Sequence, residues 1–275
     1  MSVTTAPTHP GTAPRVAVSP VTTATVARSE WIKFRTLRSS WIVMAVTVVA
    51  VIGIGSLVSY FTNSHWSSMT EIERLRFNAV DRSLVGVNLA QLTIGVLGVL
   101  FISGEYSTGM VRATLGAAPR RLPVLAGKAL VFAVVSFVCS LAATVVAFTA
   151  GQSLLASHSV GWGHPGAVRA VFGAAAYLTL VGLLGLALGF IVRSTAGGIA
   201  ALFGLLLILP VIFNALPASW NNTVGPYLPG AAGSALWTLR SDGTVLAPWT
   251  GFGVFCAWCA AALVVAAVEL RRRDA

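Results

Sequence analysis

Six stretches of this chain are apolar for the length of a membrane helix, and nothing else in it restricts the fold as strongly. A helix of roughly 20 apolar residues crosses the ~30 Å hydrocarbon core of a bilayer, whereas a membrane β-barrel shows short alternating segments instead. The runs lie at about 41–61, 84–103, 124–151, 168–192, 196–216 and 249–268. Composition agrees, with 56% hydrophobic and 9% charged residues and a mean hydropathy of +0.83. No soluble domain of this length needs that much apolar surface, so the sequence predicts an all-α integral membrane protein with six transmembrane helices.

Two boundaries need argument. Residues 168–216 would form one impossibly long run but for Arg193-Ser194-Thr195. A charge is costly at mid-bilayer and cheap at an interface, so the run divides there into two helices joined by a tight turn. Pro210 is expected to kink the second of them. The third run is longer than a membrane requires and must tilt or project into the cytoplasm.

Placement of the basic residues predicts orientation, because cytoplasmic segments retain an excess of Lys and Arg. Arg15, Arg28, Lys33, Arg35, Arg38, Arg112, Arg120, Arg121, Lys128, Arg193 and Arg271 to Arg273 fall on one side, thirteen of the 18 basic residues. Arg74, Arg76, Arg82, Arg169 and Arg240 fall on the other. The expectation is a multi-pass plasma-membrane protein with both termini cytoplasmic, its net charge of +10 reporting topology rather than nucleic-acid binding. Residues 1–24 lack an apolar core, are rich in Thr, Ala, Pro, Ser and Val, and read as a disordered cytoplasmic tail rather than a cleavable signal peptide. Residues 25–275 then form the membrane domain.

Cys139, Cys256 and Cys259 lie inside apolar runs, which argues for small packing residues rather than a redox pair. The four histidines are far apart, apart from His158 and His164 in one external loop, and no metal site is expected. Neither H-E-x-x-H nor G-x-S-x-G occurs, so the chain is not expected to be an enzyme. No ionisable residue lies near the middle of a span. Asn88, Gln91 and Asn214 are the strongly polar residues there, and either line a substrate path or hydrogen-bond helix to helix. Gly182, Gly185 and Gly189, with Gly95 and Gly98, predict closely packed helices.

Two segments outside the spans are candidates for function. In residues 27–38, Phe34 and Leu37 fall on one helical face with Trp41, and Arg28, Arg35 and Arg38 gather on another, with Trp31 and Lys33 between. This is the pattern of an interfacial helix, flawed by Glu30 near its apolar face. It either anchors the first span to anionic lipid or also contacts a cytoplasmic partner. Residues 103–123 form a basic loop in which 110–115 can make a short helix, held just below the membrane and suited to docking on a soluble subunit.

Glu105-Tyr106-Ser107-Thr108-Gly109-Met110-Val111-Arg112 resembles the E-Y-x-x-G-(T/M)-(I/V)-R signature of ABC transporter permeases of the second, export-associated type. The resemblance extends to the Arg-rich helix before span one, the six-span pattern, and the segment 227–236, which is similar to one common in actinobacterial members. It implies a half-transporter that pairs with a second permease, identical or related, and with cytoplasmic ABC ATPase subunits. By the same resemblance, the loop with Glu105, Tyr106, Gly109, Met110 and Arg112 supplies a coupling helix, and residues 217–248 form short external re-entrant helices. No G-x-x-x-x-G-K-(S/T) loop occurs, so ATP and Mg are expected only in the partner ATPase. The function implied is export of a substrate that the chain does not identify, and the apolar path with few polar groups favours an amphipathic or lipid-like one. The competing readings are a membrane-bound regulatory or interaction protein, and a secondary carrier driven by an ion gradient, which would need intramembrane charges or an inverted repeat.

Overall fold

A computed structural model describes residues 22–107, 122–239 and 245–272. Among these residues the secondary structure is helical, with no strand. In chain order the α-helices are α1 (Thr23–Thr36), α2 (Arg38–Ser64), α3 (Glu71–Leu75), α4 (Ala79–Ser83), α5 (Val87–Ser107) and α6 (Leu122–Leu155). They continue with α7 (Ala167–Val192), α8 (Thr195–Phe203), α9 (Leu209–Ala215), α10 (Ala218–Val224), α11 (Pro229–Ser234) and α12 (Pro248–Arg272). Six helices are long and apolar enough to cross a membrane: α2, α5, α6, α7, the continuous α8–α9 rod and α12. The chain is a multi-pass membrane protein by length and composition of its helices.

The bundle is built around α5 and α7, which make the most extensive contact in the molecule. Their most apolar stretches are 61% and 67% buried, against 17% for α8–α9 and 22% for α12, so the latter two are peripheral. Small residues make the central contact possible. A Cβ on Gly98 would collide with the Gly182 carbonyl, and one on Gly185 with the Gly95 carbonyl. Backbones that approach so closely gain dispersion contacts that lipid tails cannot supply, and this drives helix association where the hydrophobic effect does not. On the outside, α2 presents Ile42, Val46 and Val49, the surface that a hydrocarbon solvent would cover.

Several polar side chains within the bundle pair across helices. Thr47 and Thr93 share a hydroxyl hydrogen bond of 2.8 Å between α2 and α5. Gln152 on α6 donates to the Ala79 carbonyl and the Ser83 hydroxyl at 3.0 and 2.9 Å, tying α4 to the bundle. Outside the spans, Thr70 and Glu73 form a capping box at α3. The Thr70 N–H and hydroxyl hold the Glu73 carboxyl below its ordinary range, with Arg82 adding attraction.

Several boundaries differ from those expected from sequence. Helix α1 begins at Thr23, capped by Thr22, so Thr23 and Ala24 are helical. A break at Leu37, with φ −81° and ψ 106°, separates α1 from α2; Phe34, Leu37 and Trp41 therefore do not share one continuous helical face. The second span begins at Val87 rather than at 84, because the chain turns between α4 and α5 where Gly86 lies against the backbone of Ala50 and Val51. Helix α6 has 34 residues, about 51 Å at 1.5 Å per residue, longer than a bilayer core as its sequence predicted. Arg193, in the left-handed region at φ 54°, makes the tight turn between α7 and α8, and Ser194 caps α8. The distortion at Pro210 takes the form of a π turn over Gly204–Ile208. Proline has no N–H for the carbonyl four residues earlier, and the widened turn accommodates that loss.

Candidate functional site

Helix α1 lies against the start of α6, and the contact is set by residues four apart. Val26, Glu30 and Phe34 form its buried stripe, Val26 meeting Gly127 and Val124. Glu30, only 5% exposed, therefore occupies a position that elsewhere on the stripe is apolar. A buried carboxylate needs a partner, and it is Lys128 on α6, whose Nζ is 2.6 Å from Glu30 Oε1. The same ammonium donates to Glu105 Oε1 on α5, also at 2.6 Å. Lys33, one turn along α1 from Glu30, donates to that Glu105 oxygen as well.

Among the described residues, two carboxylates and two ammoniums, formally balanced in charge, thus form a cluster drawn from three helices. Lys128 is 1% exposed, and its ammonium sits 5.5 Å above the Phe101 ring. Phe101 packs on Phe34 and Phe132, with centroids 5.9 and 5.7 Å apart, so the charges rest on an aromatic floor. Cation–π attraction and exclusion of water both strengthen the arrangement, because charges interact more strongly where the effective dielectric is low.

The next residue, Tyr106, lies under the Arg193 guanidinium at 5.5 Å. Thr195 donates to the Ser103 hydroxyl at 2.9 Å. The last turn of α5 is therefore joined to α1, to α6 and to the α7–α8 turn, immediately before residues 108–121. Gly109, Met110 and Arg112, and the short helix expected over 110–115, lie outside the described residues.

The residues grouped as an interfacial helix separate in the structure. Phe34 is fully buried, whereas Lys33 is partly exposed and donates to Glu105. Trp31, Arg35 and Arg38 are exposed, and the Arg35 carbonyl accepts the Trp41 indole N–H at 3.3 Å. Glu30, a flaw in the amphipathic pattern, is a member of the cluster. Glu30 and Lys128 were not singled out by sequence reasoning; the signal available was a carboxylate on an apolar stripe and a lone lysine inside the run that begins at 124.

The polar residues of the spans do not converge. Gln91 accepts the Tyr177 hydroxyl and donates to the Asn88 carbonyl at 2.9 Å, a helix-to-helix role. Asn88 lines a cleft of ≈ 300 Å³ with Arg76, Asp81 and Trp237. Asn214 accepts from Asn221 at 3.2 Å in a different cleft, of ≈ 400 Å³, near α10 and α11. Among the described residues no group of His, Cys, Asp and Glu could hold a metal ion.

The chain matches no protein-family model and no curated protein.

Proposed function

We propose that this chain is the membrane-spanning permease subunit of an ATP-driven ABC exporter, with ATP and Mg bound by separate cytoplasmic ATPase subunits. The observation that carries the reading is the position of Glu105, the first residue of the E-Y-x-x-G-M-V-R segment. It is held by Lys33 and Lys128 at the point where α1, α5 and α6 meet. A loop rooted in this way transmits a push to several helices together. A loop that merely recruited a partner would need no buried charges joining three helices. A gradient-driven carrier would place them near the middle of a span, whereas Lys128 lies in the second turn of α6.

In this reading both termini and residues 108–121 face the cytoplasm, α1 lies at the inner membrane surface, and α10 and α11 belong to an external re-entrant segment. Two such chains, identical or related, enclose the path. Binding of ATP draws the two ATPases together, the loop moves with them, and α5 and α6 change the opening between the permeases. Gly109, Met110 and Arg112 belong with Glu105 and Tyr106 to the coupling contact with the ATPase, and the cargo is amphipathic or lipid-like.

Co-purification of the tagged full chain in mild detergent, with identification of its partners and an ATPase assay, tests this. A stoichiometric ATPase is the expected result. Arg112→Ala should lower its activity by roughly ten- to a hundredfold while membrane insertion is unchanged, on the scale of one charge-assisted hydrogen bond of about 1.5–3 kcal/mol. A preparation without an ATPase even after crosslinking in the membrane would remove the reading.

A further inference from the structure

Beside the charged cluster, a cleft of ≈ 210 Å³ opens between the start of α2 and the last turns of α5. Its floor and one wall are apolar, formed by Leu97, Leu100 and Phe101, and its rim carries Lys33, Ser39 and Ser40. Three features of the rim favour an anion. The first-turn N–H groups of the 27-residue α2 have no intrahelical partners, as in any helix, carry the positive end of its dipole, and receive no side-chain cap from Leu37. Ser40 is only 7% exposed, lines the cleft, and its hydroxyl has no hydrogen-bond partner among the described residues. Lys33 gives Glu105 one of its three N–H donors, leaving two for the cleft. Glu105 also lines this space, but its charge is already shared by Lys33 and Lys128.

A soluble anion would use the rim and leave the wall in water. Leu37 and Leu100 remain 40% and 37% exposed beside it, on the side of the bundle where α2 shows its apolar outer face. We infer that the cleft binds an anionic phospholipid, its phosphate at Lys33, Ser40 and the α2 N-terminus, and the upper part of one acyl chain against Leu97 and Leu100. The volume takes a phosphodiester and the first methylenes of a chain; the remainder lies in the bilayer. The inference needs only the membrane-spanning character of the chain and is independent of the transport reading.

Native mass spectrometry of the intact chain, purified with equal amounts of phosphatidylglycerol and phosphatidylcholine, tests it. One phosphatidylglycerol should be retained about tenfold in preference to phosphatidylcholine, the scale set by one or two basic groups acting on an anionic headgroup. Gly104 lines the cleft and a Cβ there meets open space, so Gly104→Leu should fold and abolish that preference. Gly53→Leu, at an equally open position on α2, should preserve it. Equal retention of the two lipids, or an unchanged preference in Gly104→Leu, would overturn the site. Displacement of the retained lipid by an equal concentration of inorganic phosphate would assign the cleft to a free anion and overturn the lipid.

Discussion

Removal of the Lys128 ammonium would take from the buried Glu30 and Glu105 carboxylates the cation they share, with Lys33 still on Glu105. Breaking a buried ion pair from one side typically costs about 3–5 kcal/mol, because the orphaned charge stays in a medium that cannot solvate it. Lys128→Met should therefore lower the thermal unfolding temperature of the purified protein far more than Lys33→Met, since Lys33 is 26% exposed and water screens its loss. Neutralising Glu30 and Glu105 as glutamines in the Lys128→Met background should recover part of the loss. An unchanged unfolding temperature in Lys128→Met would mean that the cluster does not stabilise the junction. At this scale the sequence was only partly legible. The positions of Glu105 and Tyr106 at a span end could be read directly, whereas Glu30 registered as an imperfection. Its partner is 98 residues away on another helix, and periodicity along one helix carries no information about what faces it.

Among the elements, the central contact between α5 and α7 depends on residues too small to keep the backbones apart. Gly98→Ala places a methyl group against the Gly182 carbonyl and should destabilise the protein by about 1–3 kcal/mol, the range for overpacking a filled interior. Gly53→Ala, where nothing lies within 4 Å, should be neutral or slightly stabilising through helix propensity. Thermal unfolding in one detergent distinguishes the two, and equal behaviour would show that α5 and α7 are not in such close contact. Existence of the six spans was legible because hydropathy summed over twenty residues outweighs any local preference. Their ends were less so. Nothing in Arg35-Thr36-Leu37-Arg38 breaks a helix by itself; the break at Leu37 goes with the burial of Phe34 against α5 and the turn into α2.

For the molecule as a whole, the proposed topology has six crossings, which put α1 and the end of α12 on the same side of the membrane. The proposed orientation puts that side in the cytoplasm. In a background lacking Cys139, Cys256 and Cys259, a cysteine at Ser68 should react with an impermeant maleimide in intact cells. One at Thr36 or Arg272 should react only after permeabilisation. The opposite pattern would invert the topology and, with it, the side on which residues 108–121 could meet an ATPase.

The π turn over Gly204–Ile208 sets the phase of everything that follows it in its span. An α-helix turns about 100° for each residue, so one residue absorbed in a wider turn redirects the following side chains while hardly changing the length of the rod. Asn214 reaches Asn221 from beyond that turn. The direction in which it points is thus fixed locally, by where the wide turn falls before Pro210, and not by counting from Thr195. Loss or gain of a single residue in this stretch acts as a rotation. It would swing Asn214 away from α10 and bring Val211 or Ile212 toward the cleft, leaving the span as apolar and nearly as long as before.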